Sequence, residues 1–424
     1  MTEYRIVGSG LRIAIVSKSD SSGGGASRVA EDLVNGLNSA GHLATHFVAC
    51  SSKGYLPTRR RLYGPKGLRK LTALAHRSLG RLGFPEALPL ELPALIASRL
   101  TSKYDVVHFH DLSSAISPLT LRWLSTRIPV LWTFHDCSPF TGGCLYPIGC
   151  KRFLERCGTD GGCPKLHNWP LECLFDFTGA MQDIKASLHR TGRVSCLAPS
   201  AWMADFAMSS GKIPVRPVVV SNGVDVMTFR PAADRAALRR ALGLPVGRPV
   251  ILVSAGMVLD ERKGARQAIA ALRSVDDLNP FTLVVGGHEP NLSSVMVGLE
   301  YRATGYVSEA HKLALWYSAA DLHLFCSQAD NQPLTVLETM SCGTPTVGFS
   351  IGGIPEMVVD GVSGMLVPQG DASGLVNAIR KALQPGVAAA LGREARICAE
   401  SRHSMALCLD RHVEIYEAAM RHFK

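Results

Sequence analysis

Apolar residues fall in short runs along this chain, with longer stretches of helical spacing between them. One series lies at residues 11–17, 105–110, 129–135, 194–199 and 217–221. A second lies at 248–254, 281–286, 321–327 and 344–349. Runs of this length, rich in β-branched residues and alternating with amphipathic segments, read as buried parallel strands of α/β units. Two series predict two doubly wound, Rossmann-like domains. The break falls within residues 222–248, where Val224 and Phe229 lead into Pro231 and a charged helix at 233–242. The boundaries expected are therefore 1–228 for the first domain and 229–404 for the second. Residues 405–424 form a closing helix, amphipathic over 407–422. No strand follows it, so it is expected to return to the first domain.

Length and composition fit this division. The chain has 424 residues, 46% of them hydrophobic and 19% charged. That is too long for one ordinary domain and ample for two cores. The formal charge is +10 and the pI about 9.1. Such a balance suggests an anionic partner: nucleic acid, an anionic membrane or a phosphorylated substrate. The excess is local. Lys53, Arg59, Arg60, Arg61, Lys66, Arg69, Lys70, Arg77 and Arg81 all precede the next acidic residue, Glu86. No apolar run approaches the ~20 residues of a membrane span, and residues 1–10 lack a signal-peptide layout. A cytoplasmic protein is the expectation, whether free or resting on a membrane surface.

Four segments could carry chemistry. Gly23-Gly24-Gly25-Ala26-Ser27 follows the first strand and opens a helix over 28–37. Glycines there let a ligand approach the backbone, and the helix N-terminus attracts phosphate; a tight strand-to-helix turn explains them equally well. His110-Asp111 and His135-Asp136 end two strands, where open α/β sheets bind ligands. Imidazoles at these positions either donate to a substrate or cap the strand. Arg262-Lys263-Gly264 precedes a helix over 265–272, placing positive charge where a diphosphate leaving group would need it. A solvated charged loop is the alternative. Last, Ser327 to Gly343 reads as loop, helix and stop. Pro333 suits the first turn and Gly343 the end, with Asp330 and Asn331 at the start. Glu338, flanked by Leu337 and Met340, could bind both ribose hydroxyls.

Asp330 and Glu338 are spaced as in the E-x7-E motif of the GT4 family of retaining glycosyltransferases. Other segments resemble that family in order: Gly24-Gly25-Ala26, His135-Asp136, Ala198-Pro199-Ser200, and Ser221-Asn222-Gly223-Val224-Asp225 with Phe229 and Pro231. Lys263-Gly264, Ala319-Ala320-Asp321, Gly343-Thr344-Pro345 and Gly352-Gly353-Ile354-Pro355-Glu356 follow. The resemblance spans nearly the whole chain. It implies a GT-B fold, two Rossmann-like domains facing each other across a cleft. It also implies retaining transfer of a hexosyl unit from a nucleotide-diphosphate donor to a glycan or lipid-diphosphate-linked acceptor, in surface-polysaccharide synthesis.

Roles follow from the same resemblance. Lys263, helped by Arg262, would hold the donor diphosphate and Glu338 the ribose. Asp330 would face the transferred sugar, with Asn331, Gln332, Pro333 and Leu334 completing the donor site. His135 would approach that sugar from the first domain, and Gly24 and Gly25 would line the cleft. His135, Asp330 and Lys263 are the catalytic set. No protein nucleophile and no catalytic metal are implied. The chain departs from the family twice: Asp330 replaces a Glu, and Gly256-Met257 stands where many members carry Gly-Arg.

Two features are not settled by the resemblance, although some surface-polysaccharide members of the family carry a similar Cys-rich insertion. Cys144, Cys150, Cys157 and Cys163 are separated by gaps of five, six and five residues within an insertion at 137–163. This is not paired C-x2-C spacing, so a structural zinc, disulfides and free thiols all remain open. The basic stretch also carries Leu68, Leu71, Leu74, Leu79 and Leu82 at helical spacing. Such a helix suits anionic lipid, and a solvated basic face is the alternative. Nucleic acid is not expected, because the basic stretch interleaves only Tyr55 and Tyr63 and no nucleic-acid-binding signature appears. A nucleotide-sugar epimerase or hydrolase, or a non-catalytic scaffold, are the competing functions on this fold.

Overall fold

The computed structural model describes residues 10–63, 66–113, 115–159, 161–255, 261–286 and 292–423. Contacts divide the chain into two compact units. The first runs up to Val220 and includes Leu409–Lys424; the second is Ser221–Cys408. The divide lies before Asn222-Gly223-Val224 rather than after residue 228. Val224 explains this: its N–H donates to the His403 carbonyl at 2.8 Å and its carbonyl accepts from Met405 N–H at 2.9 Å. Val224 and Phe229 are buried in the second core.

The first unit holds a seven-stranded sheet of β1 (Arg12–Ser19), β2 (Leu43–Cys50), β3 (Arg59–Arg61), β4 (Val106–Phe109), β5 (Val130–Thr133), β6 (Val194–Ala198) and β7 (Val218–Val219). Its order is β3-β2-β1-β4-β5-β6-β7, with every pairing parallel. The second unit holds β8 (Val250–Ala255), β9 (Phe281–Gly286), β10 (Tyr301–Ala303), β11 (Leu322–Phe325), β12 (Thr346–Phe349) and β13 (Gly364–Val367). They are ordered β10-β9-β8-β11-β12-β13, again all parallel. In each sheet the order reverses beside its first strand, between β1 and β4 and between β8 and β11. Crevices for ligands open at the carboxyl ends of such strand pairs.

All nine apolar runs became strands. β2, β3, β10 and β13 joined them without such a run. In β2, polar His46 is buried and shares a 2.7 Å hydrogen bond with Ser17 Oγ of β1. Burial lowers its pKa to about 4, so the ring is neutral. β3 is three arginines at the sheet edge. Arg59 reaches Glu31 at 2.6 Å, and Lys53 reaches the same carboxylate at 3.0 Å. Two of the nine clustered basic residues are thus neutralised inside the unit. The Lys66 and Arg69 side chains lie outside the described residues.

Candidate active site

The second unit's candidate residues converge where β8 and β11 end. After β8, Glu261–Lys263 makes a single helical turn, and Gly264 caps the helix Ala265–Arg273. Gly264 has φ +72°, and a Cβ there would sit 1.8 Å from the Cys326 carbonyl oxygen. Only glycine lets this turn lie against the end of β11. The seam is closed by hydrogen bonds. Gln328 N–H donates to the Arg262 carbonyl at 2.7 Å, Ser327 Oγ to the same oxygen at 3.1 Å, and Arg262 Nη1 to the Ala329 carbonyl at 3.2 Å.

Asp330 lies at the centre. Its Oδ2 accepts from Lys263 Nζ at 2.7 Å and from Ser327 Oγ at 2.9 Å, with Arg262 Nη1 3.8 Å away. Its carbonyl is backed by Gly352, where φ is +53° and a Cβ would lie 1.8 Å from that oxygen. The structure thus brings Arg262, Lys263 and Asp330 together, although 67 residues separate the last two.

Helix formation begins later than the sequence pattern implied. Pro333 is the N-cap in an extended conformation, and the helix is Leu334–Ser341. Asp330 and Asn331 therefore sit in the loop, not the first turn. A side-chain cap is absent at Pro333. Asn331 and Gln332 are buried, while Pro333 and Leu334 are half-buried. The Gln332 amide secures the loop: Oε1 accepts from Asn222 N–H at 2.6 Å and Nε2 donates to Ser221 Oγ at 2.9 Å. Its backbone carbonyl accepts from Asn222 Nδ2 at 3.0 Å. Glu338 is on the inner face of the helix, only 2% exposed. The Gly256-Met257 departure lies outside the described residues.

In the first unit, Gly24 caps the helix Gly25–Ser39 with φ +105°, so glycine is required there by backbone conformation. Gly25 has open space around it. Beside this turn, Asp20 accepts from Ser22 N–H, Ser51 Oγ and Ser52 N–H at 3.1, 2.6 and 2.9 Å. Burial opposes its charge, but these bonds hold the carboxyl well below its usual range.

His135 is half-buried, and its Nε2 shares a proton with His110 Nδ1 at 2.9 Å. The pair stacks with ring centroids 5.2 Å apart. His110 therefore binds a second imidazole. Behind it, His108 lies 4.2 Å from the His110 ring and bonds Tyr416 Oη at 2.8 Å and Thr133 Oγ1 at 2.7 Å. Burial and the neighbouring His412 push His135 down to about 3, and burial first, then neighbouring imidazoles, hold His108 and His110 well below 6.5. All three are neutral at pH 7 and can donate or accept a hydrogen bond without a net charge. Asp136, next to His135, is raised to about 6 by burial and by Asp111.

Ser327, Gly352 and the His108–Tyr416 contact were not marked as site residues in the sequence pattern. Gly352 stood in the Gly-Gly-Ile-Pro-Glu segment. Ser327 carried no signal beyond ending a strand. Among the described residues, no three His, Cys, Asp or Glu side chains are placed to hold a metal ion. Cys144, Cys150, Cys157 and Cys163 are all half-buried thiols. No described helix is long and apolar enough to cross a membrane.

Two family models match the chain. Glycosyltransferase Family 4 covers residues 23–227, and Glycosyl transferases group 1 covers residues 248–385. The chain belongs to glycosyltransferase family 4. A D-inositol 3-phosphate glycosyltransferase of Saccharomonospora viridis is 36% identical over 222 residues, 48% of this chain and 51% of its own length. The chain thus spans about half of that relative. WcaC of Escherichia coli K12, named for colanic acid biosynthesis, is 26% identical over 76% of this family 4 chain and 80% of its own. Among solved structures, a sucrose-phosphate synthase of Thermosynechococcus elongatus superposes with TM-score 0.73 at 20% identity, covering 97% of this chain and 99% of that one. Anabaena HepE in complex with UDP-glucose gives 0.67 at 16% identity, covering 96% and 100%. The family 4 chain has the GT-B fold, built from two Rossmann-like domains.

Proposed function

We propose that this family 4 member transfers a hexosyl unit, with retention of configuration, from a nucleotide-diphosphate donor to a glycan or lipid-diphosphate-linked acceptor in surface-polysaccharide synthesis. The observation that carries the reading is the Lys263–Asp330 pair at the β8/β11 strand ends, with buried Glu338 on the helix that follows. Charge for a leaving diphosphate and a carboxylate for a sugar stand together there. HepE, which shares the fold, is solved with UDP-glucose; a nucleotide sugar suits the same place here.

In this mechanism Lys263 and Arg262 take up the negative charge growing on the departing diphosphate, and Glu338 accepts from both ribose hydroxyls. Lys263 must then exchange Asp330 for phosphate, which leaves Asp330 to bind the sugar. Neutral His135 donates to or accepts from a sugar hydroxyl. The departing phosphate takes the acceptor's proton as the acceptor attacks from the same face. Electrostatic stabilisation and positioning account for the rate.

The helix Lys66–Arg81 suits docking on anionic lipid. Leu68, Leu71 and Leu74 are 53%, 66% and 60% exposed, and Lys70, Arg77 and Arg81 are exposed among them. Flotation with phosphatidylglycerol vesicles, abolished by Leu71→Glu, is the expected result; no flotation at low salt removes lipid docking. The donor site is tested by thermal shift with UDP-, GDP- and ADP-sugars on wild type, Lys263→Ala and Glu338→Ala. One nucleotide class should stabilise wild type alone. If none does, the transferase reading fails.

A further inference from the structure

The helix Lys66–Arg81 does not stand alone on its surface. At its carboxyl end, Leu174 N–H donates to the Arg81 carbonyl at 2.7 Å. Gly83 follows with φ +97°, and a Cβ there would collide with the Phe175 carbonyl. Phe84 and Phe177 then stack with ring centroids 4.0 Å apart. The loop that follows the cysteine-rich insertion is thus packed against the end of the helix. It is also pinned from inside. Leu171 and Cys173 are buried. Cys173 N–H donates to the Leu166 carbonyl at 2.9 Å, and His167 Nδ1 donates to the Cys173 carbonyl at 3.0 Å. With those positions turned inward, the larger apolar side chains of the loop face out: Trp169, Leu174 and Phe175 are 65%, 66% and 56% exposed. Single apolar residues on a surface need no explanation. Three on one pinned loop, beside the exposed leucines of a helix, mark an interaction site.

We propose that the loop Trp169–Phe175 is a second membrane-contact element, which enters the headgroup region of an anionic bilayer beside the helix Lys66–Arg81. The inference rests on the lipid docking proposed above for that helix, and adds the part of the surface that penetrates.

Charge selects the occupant. The helix carries no Asp or Glu in its sequence, and Lys70, Arg77 and Arg81 are exposed on it. In the loop, Glu172 is the one acid between Trp169 and Phe175, and it is exposed. The joint patch is therefore net positive. A second copy of this chain would set two cationic faces against each other. Anionic lipid headgroups complement the same face.

The side chains divide the work. Lys70, Arg77 and Arg81 hold the helix at the lipid phosphates, while its leucines lie along the surface. Trp169 and Phe175 suit the boundary between headgroups and acyl chains, where an aromatic ring finds both apolar and polar neighbours. The Leu174–Arg81 backbone bond makes helix and loop one surface. Neither can meet a flat bilayer without bringing the other close.

The test uses the full chain and the fluorescence of Trp169, the only exposed tryptophan of five; Trp132 is buried and Trp123, Trp202 and Trp316 are half-buried. The probes are vesicles of phosphatidylglycerol with phosphatidylcholine, and of phosphatidylcholine alone, with and without acyl chains brominated near the headgroup. With the anionic vesicles, wild-type emission should shift to the blue and be quenched by bromine. Trp169→Phe should float as wild type does and lose most of the quenching. Phe175→Glu should partition at least about tenfold more weakly, with its near-UV circular dichroism unchanged. Should Phe175→Glu fail to fold, the quenching of wild type against Trp169→Phe decides alone. Flotation of wild type without quenching at Trp169 overturns the loop's role and leaves docking of the helix standing. Absence of flotation removes both. Equal partition onto phosphatidylcholine alone, or a lipid-free dimer that Phe175→Glu dissociates, also overturns the proposal.

Discussion

Lys263 Nζ and Asp330 Oδ2 are 2.7 Å apart, and that carboxylate also accepts from Ser327. In the proposed mechanism the donor diphosphate competes with Asp330 for the ammonium. Asp330→Asn should therefore free Lys263. UDP, or whichever nucleotide the thermal-shift panel selects, should bind about as tightly or up to about tenfold tighter. The turnover number should fall roughly a hundredfold, because the group facing the sugar is altered. Lys263→Ala should lose both binding and turnover. Calorimetry with the nucleoside diphosphate and a product-release assay separate the effects. Equal loss of nucleotide affinity in both variants would contradict the competition.

Glu338 is buried on the inner face of its helix. If it binds ribose, Glu338→Gln should weaken the nucleoside diphosphate by about 1.5–3 kcal/mol, the scale of hydrogen bonds to a charged group. Binding of inorganic pyrophosphate should stay within about twofold. Matched losses for both ligands would assign Glu338 to the loop's fold instead.

The Asp330 loop depends on a missing side chain. Gly352→Ala adds a Cβ 1.8 Å from the Asp330 carbonyl oxygen at φ +53°. The loop must shift, at a cost of about 3 kcal/mol or more. Gly361→Ala has φ +73° with open space around it, and should cost only about 1–2 kcal/mol. Urea denaturation of the two variants supplies the comparison. A Gly352→Ala protein as stable as Gly361→Ala would show that the loop yields freely.

Acid should destabilise the chain before its carboxylates titrate normally. Burial depresses His46, His189 and His403 to about 4 and His135 and His323 to about 3, with His108 and His110 also well below 6.5. In each case the unfolded imidazole binds a proton first. Stability is present above pH 6.5 and is lost as pH falls towards the folded values. Asp136, raised to about 6, and Glu91, raised to about 7, act in the opposite sense: their contribution is lost as pH rises through those values. Seven histidines outweigh two acids, so the melting temperature should fall steadily between pH 6.5 and pH 4. A flat profile across that interval would contradict the buried, neutral imidazoles.

Much of the fold was legible because hydrophobic burial writes itself into apolar runs. β1, β5 and β8 hold continuous apolar stretches at 13–16, 130–132 and 250–253, and each lies where the pattern put it. β2 was hidden because Thr45 and His46 interrupt its apolar character, and His46 is tolerated only through Ser17, on a strand 29 residues earlier. β3 was hidden because arginines do not resemble a strand until one of them meets Glu31. The same tertiary pairing made the basic stretch look freer than it is. At the candidate site, the burial of Glu338 was readable from its flanks. The Lys263–Asp330 contact was not, because a link across 67 residues leaves no local periodicity. His110 and His135 looked like separate strand ends. Only the parallel pairing of β4 with β5 sets them side by side.

The hydrogen bond between His108 and Tyr416 joins residues 308 positions apart. Everything in the second unit is translated between them, while the first unit still lacks Leu409–Lys424. At roughly 5–20 residues per second, the intervening chain takes on the order of fifteen to sixty seconds to make. For that time the imidazoles of His108 and His110 have no helical cover. The second unit is continuous in sequence and is complete in the chain before Leu409–Lys424 is made. The order of completion on the ribosome is therefore the reverse of the order of synthesis: the domain begun first is the last to be finished.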